Sequence, residues 1–132
     1  VPIPTSINSF FNNTPSTIKL DSTYLNTIDK WIPIISFSQK FNDLIDKEIN
    51  HKSKISSLAV DLNKINKDNI PVEFKISPII GRLRVLKTFI LKIDSYLLKN
   101  DNLEEYTADL RSLLESYNAL IYQINLRAKE IS

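Results

Sequence analysis

The clearest pattern of apolar and polar positions lies in the last third of the chain, over residues 103–131. Apolar residues recur there at alternating spacings of three and four, which keeps them on one side of an α-helix. Arg127 is the one residue that interrupts the series. Leu114, Ile121 and Ala128 lie beside it, and an apolar face of that width favours packing against two neighbouring helices. The members of the series are Leu103, Tyr106, Leu110, Leu113, Tyr117, Leu120, Ile124 and Ile131.

A second helix is predicted to begin at Ser77 and Pro78, because a capping side chain there precedes a proline that fits the first helical turn. The turn at residues 99–102 is short, so the two helices are expected to be antiparallel neighbours. On a helical wheel with ~100° per residue, apolar residues cover about two-thirds of the circumference of this helix. This wide apolar surface is either part of the core on more than one side of the helix or an exposed groove for a partner. The apolar series is Ile79, Leu83, Leu86, Ile90, Ile93 and Leu97, widened by Val85, Phe89, Leu91, Tyr96 and Leu98.

The apolar and polar positions over residues 34–66 predict one long helix there. Its apolar series is interrupted at Glu48 and His51, where apolar residues are expected. This Glu-x-x-His spacing also occurs in helical proteins that bind a metal pair, but a second copy would have to come from a homodimer. An exposed ion pair is the favoured interpretation, a polar layer that sets helix register is the next, and we assign no metal. The apolar series is Phe37, Phe41, Leu44, Ile55, Leu58, Leu62 and Ile65.

Two segments show no helical period. Residues 1–20 are rich in Ser, Thr, Asn and Pro, which predicts an extended or disordered arm with Phe10 and Phe11 as anchors onto the helices or onto a partner. The connector at residues 67–76 alternates apolar and polar positions with the period of a strand. We expect it to lie along the helices with its three apolar side chains inward, the alternative being an edge that pairs with another chain. Those side chains are Val72, Phe74 and Ile76.

A short helix is predicted between the arm and the long helix. Asp21 or Ser22 can cap its first turn, and Pro33 ends or kinks it because proline removes a backbone hydrogen bond. The single tryptophan, Trp31, is expected to anchor the core. The apolar side of this helix is predicted to comprise Tyr24, Leu25, Ile28, Trp31 and Ile32.

Composition excludes several kinds of chemistry and distributes charge unevenly. The chain has no cysteine, one histidine and one glycine, so a thiolate nucleophile, a cysteine zinc site and a glycine-rich phosphate loop are absent. Residues 34–100 carry 12 basic and 7 acidic side chains, a balance of +5, whereas residues 101–132 carry 3 and 6, a balance of −3. No apolar run has the length of a membrane span and no signal peptide is recognisable, which leads us to expect an intracellular protein of the cytoplasm or nucleus.

We therefore predict an all-α antiparallel bundle of three main helices with a short N-terminal helix and an extended arm, in which residues 21–132 form the single domain. The predicted function is non-catalytic: a structural or adaptor subunit that scaffolds a complex by binding other proteins, or a second copy of itself, through coiled-coil-like helix faces. No cofactor or small-molecule substrate is expected. The candidate partner-binding residues are Phe10, Phe11, Val85, Leu91, Leu98, Tyr122 and Leu126.

The alternative function is a module that binds an anionic membrane surface or nucleic acid through the basic residues of the middle helices. Such binding would depend steeply on salt, whereas association between apolar helix faces would not. The residues proposed for this basic face are Arg82, Arg84, Lys87, Lys92 and Lys99.

Overall fold

A computed structural model describes the chain at residues 17–47, 51–99 and 103–132, with side chains described for residues 17–44, 55–95 and 108–132. Every regular element within these ranges is a helix, which confirms the predicted all-α class. Short 3₁₀ turns at Ser22–Tyr24 and Val72–Phe74 accompany the α-helices. The α-helices are α1 Leu25–Ile28, α2 Ile32–Lys47, α3 His51–Asn63, α4 Ser77–Lys99 and α5 Leu103–Ile131.

An aromatic cluster joins α2 to α5 at the centre of the core. The rings of Phe41 and Tyr117 stack with their centroids 3.9 Å apart and their planes at 10°, and Phe37 packs 6.2 Å from Tyr117. All three side chains are fully buried. The Tyr117 hydroxyl is also buried, and it shares a 2.6 Å hydrogen bond with Ser38 Oγ in which either group can be the donor. This cluster gives α2 and α5 apolar contact area and satisfies the one polar atom that Tyr117 brings into the core.

The prediction of one long helix over residues 34–66 is wrong. Lys40 Nζ lies 2.5 Å from Asp61 Oδ2, yet a continuous helix would separate these two residues by ~30 Å at 1.5 Å per residue. Helices α2 and α3 therefore pack side by side in opposite directions. The helix boundary between Lys47 and His51 coincides with the polar interruption of the apolar series, so that interruption accompanies a change of helix; Glu48 lies outside the described residues.

Helix α4 lies between α3 and α5. Its contacts with α3 include the bond from Ser56 Oγ to Asp94 Oδ1 at 2.7 Å, and its contacts with α5 include Lys92 Nζ to Asp109 Oδ1 at 3.3 Å. Early residues of α4 meet late residues of α5, so the predicted antiparallel pairing of these two helices is confirmed. The predicted start at Ser77 is also confirmed. The buried members of the predicted apolar series are Ile79, Leu83, Leu86, Ile90 and Ile93.

The described members of the α5 apolar series are buried, except for Ile131, which is partly buried, and the structure explains the interruption of the series at Arg127. The guanidinium Nε of Arg127 donates to the backbone carbonyl of Glu73 at 2.6 Å. Lys30 Nζ binds Glu73 Oε2 at 2.7 Å, and this hydrogen bond holds the pKa of the Glu73 carboxyl below its ordinary value. Arg127 thus fixes the connector to α5 from a position that would otherwise be apolar. The described buried residues of α5 include Leu110, Leu113, Leu114, Tyr117, Leu120, Ile121, Ile124 and Ala128.

The connector does not have the strand-like alternation that its sequence indicates. Val72–Phe74 forms a 3₁₀ turn, so Phe74 is fully buried with its ring 5.8 Å from that of Trp31, whereas Val72 is 80% exposed. The predicted burial of three apolar side chains is therefore wrong for Val72. Ile76 is partly buried against the core.

The short α1 is also less apolar on its inner side than predicted. Ile28 is buried and Trp31 anchors the core as expected, but Leu25 and Ile32 are exposed. The reason is that α1 ends at Ile28 and α2 begins at Ile32, so the five predicted residues do not share one helical face. Pro33 lies in the first turn of α2, where its missing amide removes no helical hydrogen bond.

The last residues of the predicted arm lie extended along α5 and are held there by asparagine side chains. The Ile18 amide donates to Asn118 Oδ1 at 2.8 Å, and Asn125 accepts from the Asp21 amide at 2.8 Å while donating to the Lys19 carbonyl at 3.0 Å. Asn118 and Asn125 are seven residues apart, which is a rise of ~10.5 Å along the helix. Ile18 and Asp21 are three residues apart, which is ~10 Å in an extended chain, so the two spacings match. Thr17 Oγ1 adds a 2.7 Å bond to Asn42 Oδ1 of α2. Residues 1–16, including Phe10 and Phe11, lie outside the described residues.

Substituting Tyr117 tests the aromatic cluster. Tyr117→Phe should lower the free energy of unfolding by about 1 kcal/mol at neutral pH, because the Ser38 hydroxyl loses its buried partner. Burial raises the pKa of Tyr117 to about 12, above the value of ~10 expected in the unfolded chain. At a pH between these two pKa values, the Tyr117 hydroxyl keeps its proton in the folded chain and loses it in the unfolded chain. The stability that Tyr117 contributes therefore falls as the pH rises through this range.

Urea unfolding at several pH values between neutrality and pH 12 provides the measurement. The variant should lack the part of the pH dependence that Tyr117 contributes, whereas Tyr122→Phe, which removes an exposed hydroxyl, should retain it. An unchanged pH dependence in Tyr117→Phe would contradict this account of the cluster.

Removing Asn125 should release the extended segment without loosening the core. In Asn125→Ala the Asp21 amide has no side-chain acceptor, so its hydrogen exchange should accelerate while the amides of α4 exchange as before. Gln123→Ala is the matched control, since that amide side chain lies on the opposite side of α5 from the segment. Equal exchange of Asp21 in all three proteins would show that the asparagine contacts do not hold the segment.

Candidate interaction surfaces

Three large apolar side chains that the sequence singled out are exposed on neighbouring parts of α4 and α5. Val85 is 44% exposed, Tyr122 is 56% exposed and Leu126 is 41% exposed. Tyr122 and Leu126 are one turn apart on α5, so they lie on the same side of that helix. Single apolar residues are common on protein surfaces, but neighbours spaced in this way form a patch.

A shallow groove of about 560 Å³ runs beside this patch, between the first half of α4 and the second half of α5. Gln123 supplies the α5 side and is flanked on its own helix by Tyr122 and Leu126. Val85 supplies the far end on the α4 side. The residues that line the groove are Ser77, Pro78, Gly81, Arg82, Val85 and Gln123. We refer to the groove together with Tyr122 and Leu126 as the α4–α5 surface.

Gly81 is the only glycine in the chain and lies within this groove. A β-carbon added at Gly81 would meet no described atom within 4 Å, so no contact with the described part of the chain requires a glycine at this position. In the interior of a helix, glycine is less favourable than alanine by about 1 kcal/mol. Its effect on shape is to leave the backbone of α4 accessible from the groove.

Sequence reasoning missed part of this surface. Gly81 and Pro78 carry no long apolar side chain, so no hydrophobic pattern indicates them. Ile18, which is 38% exposed, is hydrogen-bonded through its amide to Asn118, one turn from Tyr122, so it extends the exposed apolar area beside Tyr122 on the side of α5 away from the groove. Its position depends on the extended segment packing against a helix 100 residues later in the chain, and no local signal reveals such a contact.

The other predicted partner-binding residues do not join the α4–α5 surface. Leu91 is 53% exposed, but it lies about 120° around α4 from Val85 at ~100° per residue. Leu98 belongs to α4, and its side chain lies outside the described part of the structure. Phe10 and Phe11 lie outside the described residues altogether.

The five basic residues proposed as one face are distributed over several sides of α4. Arg82 lines the α4–α5 groove, whereas Lys92 points to α5 and lies 3.3 Å from the Asp109 carboxylate. Arg84 and Lys87 face the opposite side, towards the residues that follow α3. Lys99 ends α4, and its side chain is not among those described. The described part of α4 therefore offers no continuous basic face along its length.

The described residues also bear on the predicted chemistry. Within that part of the chain, no group of three or more His, Cys, Asp and Glu side chains is arranged to hold a metal ion. None of the helices described there combines the length and the apolar character that a membrane crossing requires. The sole histidine, His51, begins α3, and its side chain lies outside the described set.

Comparison of the chain with protein-family models, with curated proteins and with solved structures finds no match.

Proposed function

We propose that this chain is a non-catalytic protein-binding domain, an adaptor or structural subunit, whose four long helices form an antiparallel bundle. The partner is a helix of another protein that lies in the α4–α5 groove with apolar side chains against Val85, Tyr122 and Leu126. The observation that carries the proposal is a groove lined by the exposed Val85, with the exposed Tyr122 and Leu126 beside Gln123 on α5, while most other described apolar residues of α4 and α5 are at least partly buried. Helix-in-groove recognition uses this combination of a concave site and apolar anchors.

Gly81 supports the same proposal from a different direction. A glycine inside a helix lowers helix stability, and among the described residues no neighbour of Gly81 benefits from the missing side chain. A partner helix would benefit, because close approach of two helix backbones requires small residues at the contact. Ser77 and Pro78, whose side chains are also short, line the groove at the start of α4.

Val85→Ser together with Leu126→Ser tests the apolar contacts. We expect this double variant to fold, since both side chains are partly exposed, and to lose the partner that the unchanged chain binds. The matched control is Val60→Ser with Val72→Ser, which removes two other exposed apolar side chains from α3 and the connector. Quantitative pull-down from cells that express the protein, followed by calorimetry with the purified partner, provides the measurement. Loss of a buried apolar anchor should weaken binding by about tenfold or more.

Gly81→Leu separates binding from stability. The new side chain has space at its β-carbon and a better helix propensity, so the free energy of unfolding should not fall. It fills the groove, so partner binding should be lost. A partner that binds the double serine variant, the Gly81→Leu variant and the control equally well would contradict the proposal.

A second copy of the chain is the alternative occupant of the groove. Light scattering after size exclusion, over a range of protein concentrations and at two salt concentrations, distinguishes the two occupants. A dimer that Gly81→Leu converts to a monomer would make the partner a second copy. A monomer under all conditions leaves the groove for a different protein.

A further inference from the structure

A second concavity lies on the other side of α4, where the chain leaves α3. Its volume is about 220 Å³, and it is formed by the start of the connector and by the middle of α4. Ile70 and Leu83 belong to the buried core and form its apolar floor, with Ile80 partly buried beside them. The complete lining is Asn66, Lys67, Ile70, Ile80, Leu83, Arg84 and Lys87.

The charged side chains that line this pocket are all positive. Lys67, Arg84 and Lys87 contribute three cations, and no carboxylate is among the lining residues. Neither Lys67 nor Arg84 forms an ion pair with any residue in the described part of the chain. Like charges gathered in one concavity repel each other, and their mutual repulsion raises the local affinity for an anion.

Lys87 is held in place by the protein. Its ammonium donates to the backbone carbonyl of Ile65, just beyond the end of α3, where helix carbonyls favour a cation. Desolvation lowers the pKa of Lys87 from its ordinary value, which indicates that the ammonium has lost part of its hydration shell. An ammonium fixed in this way retains two further N–H groups that can donate to a ligand.

The geometry points to a binding site for a phosphate monoester, formed by Lys67, Arg84 and Lys87 between the end of α3 and α4. A phosphate monoester carries a charge of about −1.5 to −2 at neutral pH, which suits three cations better than the single charge of a carboxylate. Arginine binds two phosphate oxygens at once through its planar guanidinium, and the lysines add point charges. The apolar floor accommodates a short carbon stem attached to the phosphate.

This chemistry has two sources, a soluble phosphate ester or the headgroup of phosphatidic acid, a lipid that also carries a phosphate monoester. The site is distinct from the α4–α5 groove, because the two share no lining residue: Val85 lines the groove, whereas Arg84 and Lys87 line this pocket. Binding of phosphate and binding of a protein partner can therefore succeed or fail independently.

Titration of the ¹⁵N-labelled chain with glycerol 3-phosphate tests the site. We expect saturable amide shifts confined to residues 66–70 and 80–87. Arg84→Gln should weaken binding by about tenfold or more, since a hydrogen bond between charged groups contributes at least that much. Arg82→Gln removes the same charge from the same helix outside the pocket, and it should change affinity by less than about twofold. Lys67→Gln provides an independent variant in the connector, where helix stability is not involved.

Vesicle co-sedimentation then identifies the source of the phosphate. Phosphatidylcholine vesicles containing phosphatidic acid are compared with vesicles containing phosphatidylserine, which is anionic but carries a phosphate diester. Binding to phosphatidic acid alone that Arg84→Gln weakens and Arg82→Gln does not would support the site with a lipid ligand. Binding of glycerol 3-phosphate without vesicle binding would support it with a soluble ligand.

Two results would overturn the proposal. One is the absence of saturable shifts at millimolar glycerol 3-phosphate together with no preference for phosphatidic acid. The other is an equal loss of binding in Arg82→Gln and Arg84→Gln, which would show general attraction of anions to a basic helix and not a site built from these three residues.

Discussion

The stacking of Phe41 on Tyr117 is the contact on which the arrangement of the helices depends. It joins α2, which comes early in the chain, to the middle of α5, and the bond between the Tyr117 and Ser38 hydroxyls fixes the depth at which the two helices meet. Large aromatic side chains supply much of the apolar area that a small core can bury. Helix α3 returns beside α2, as the ion pair between Lys40 and Asp61 shows, and α4 packs against both α3 and α5.

This closure determines which surfaces remain open. The inner sides of all four long helices are used in the core, so the partly exposed apolar residues Val85, Tyr122 and Leu126 have no partner helix within the described part of the chain. The same closure places the residues after α3 against α4, where Lys67, Arg84 and Lys87 meet around one pocket. The two candidate sites thus lie on different sides of α4, one mainly apolar and one cationic.

Much of α4 and α5 could be predicted from the sequence, because their apolar residues follow the helical period and their boundaries carry local signals such as Ser77 and Pro78. The division of residues 34–66 into two helices could not. The apolar period resumes after Glu48 and His51 nearly in phase, and the mostly polar stretch around them fits a register-setting layer as well as a change of direction. Only a contact between distant residues, here Lys40 with Asp61, distinguishes the two.

The candidate sites were predictable in part for a similar reason. Exposure of Tyr122 and Leu126 follows from their position opposite the apolar series of α5. By contrast, the contribution of Gly81 depends on the shape of a groove between two helices. That of Lys67 depends on where the connector returns to α4, and that of Ile18 on asparagines about 100 residues away. The apolar period describes one helix at a time and contains no information about contacts between distant segments of the chain.

The distance between residues 36 and 64 tests the return of α3 beside α2 most directly. The chain contains no cysteine, so Ser36→Cys with Lys64→Cys, both at exposed positions, places two spin labels specifically. Double electron–electron resonance, with the labelled chain diluted in unlabelled protein, then measures distances within one chain. The structure predicts a distribution below about 25 Å, because axes of packed helices lie ~8–10 Å apart and the labels add a few more ångströms. A single continuous helix would place these residues ~40 Å apart at 1.5 Å per residue, and a distribution centred there would contradict the account.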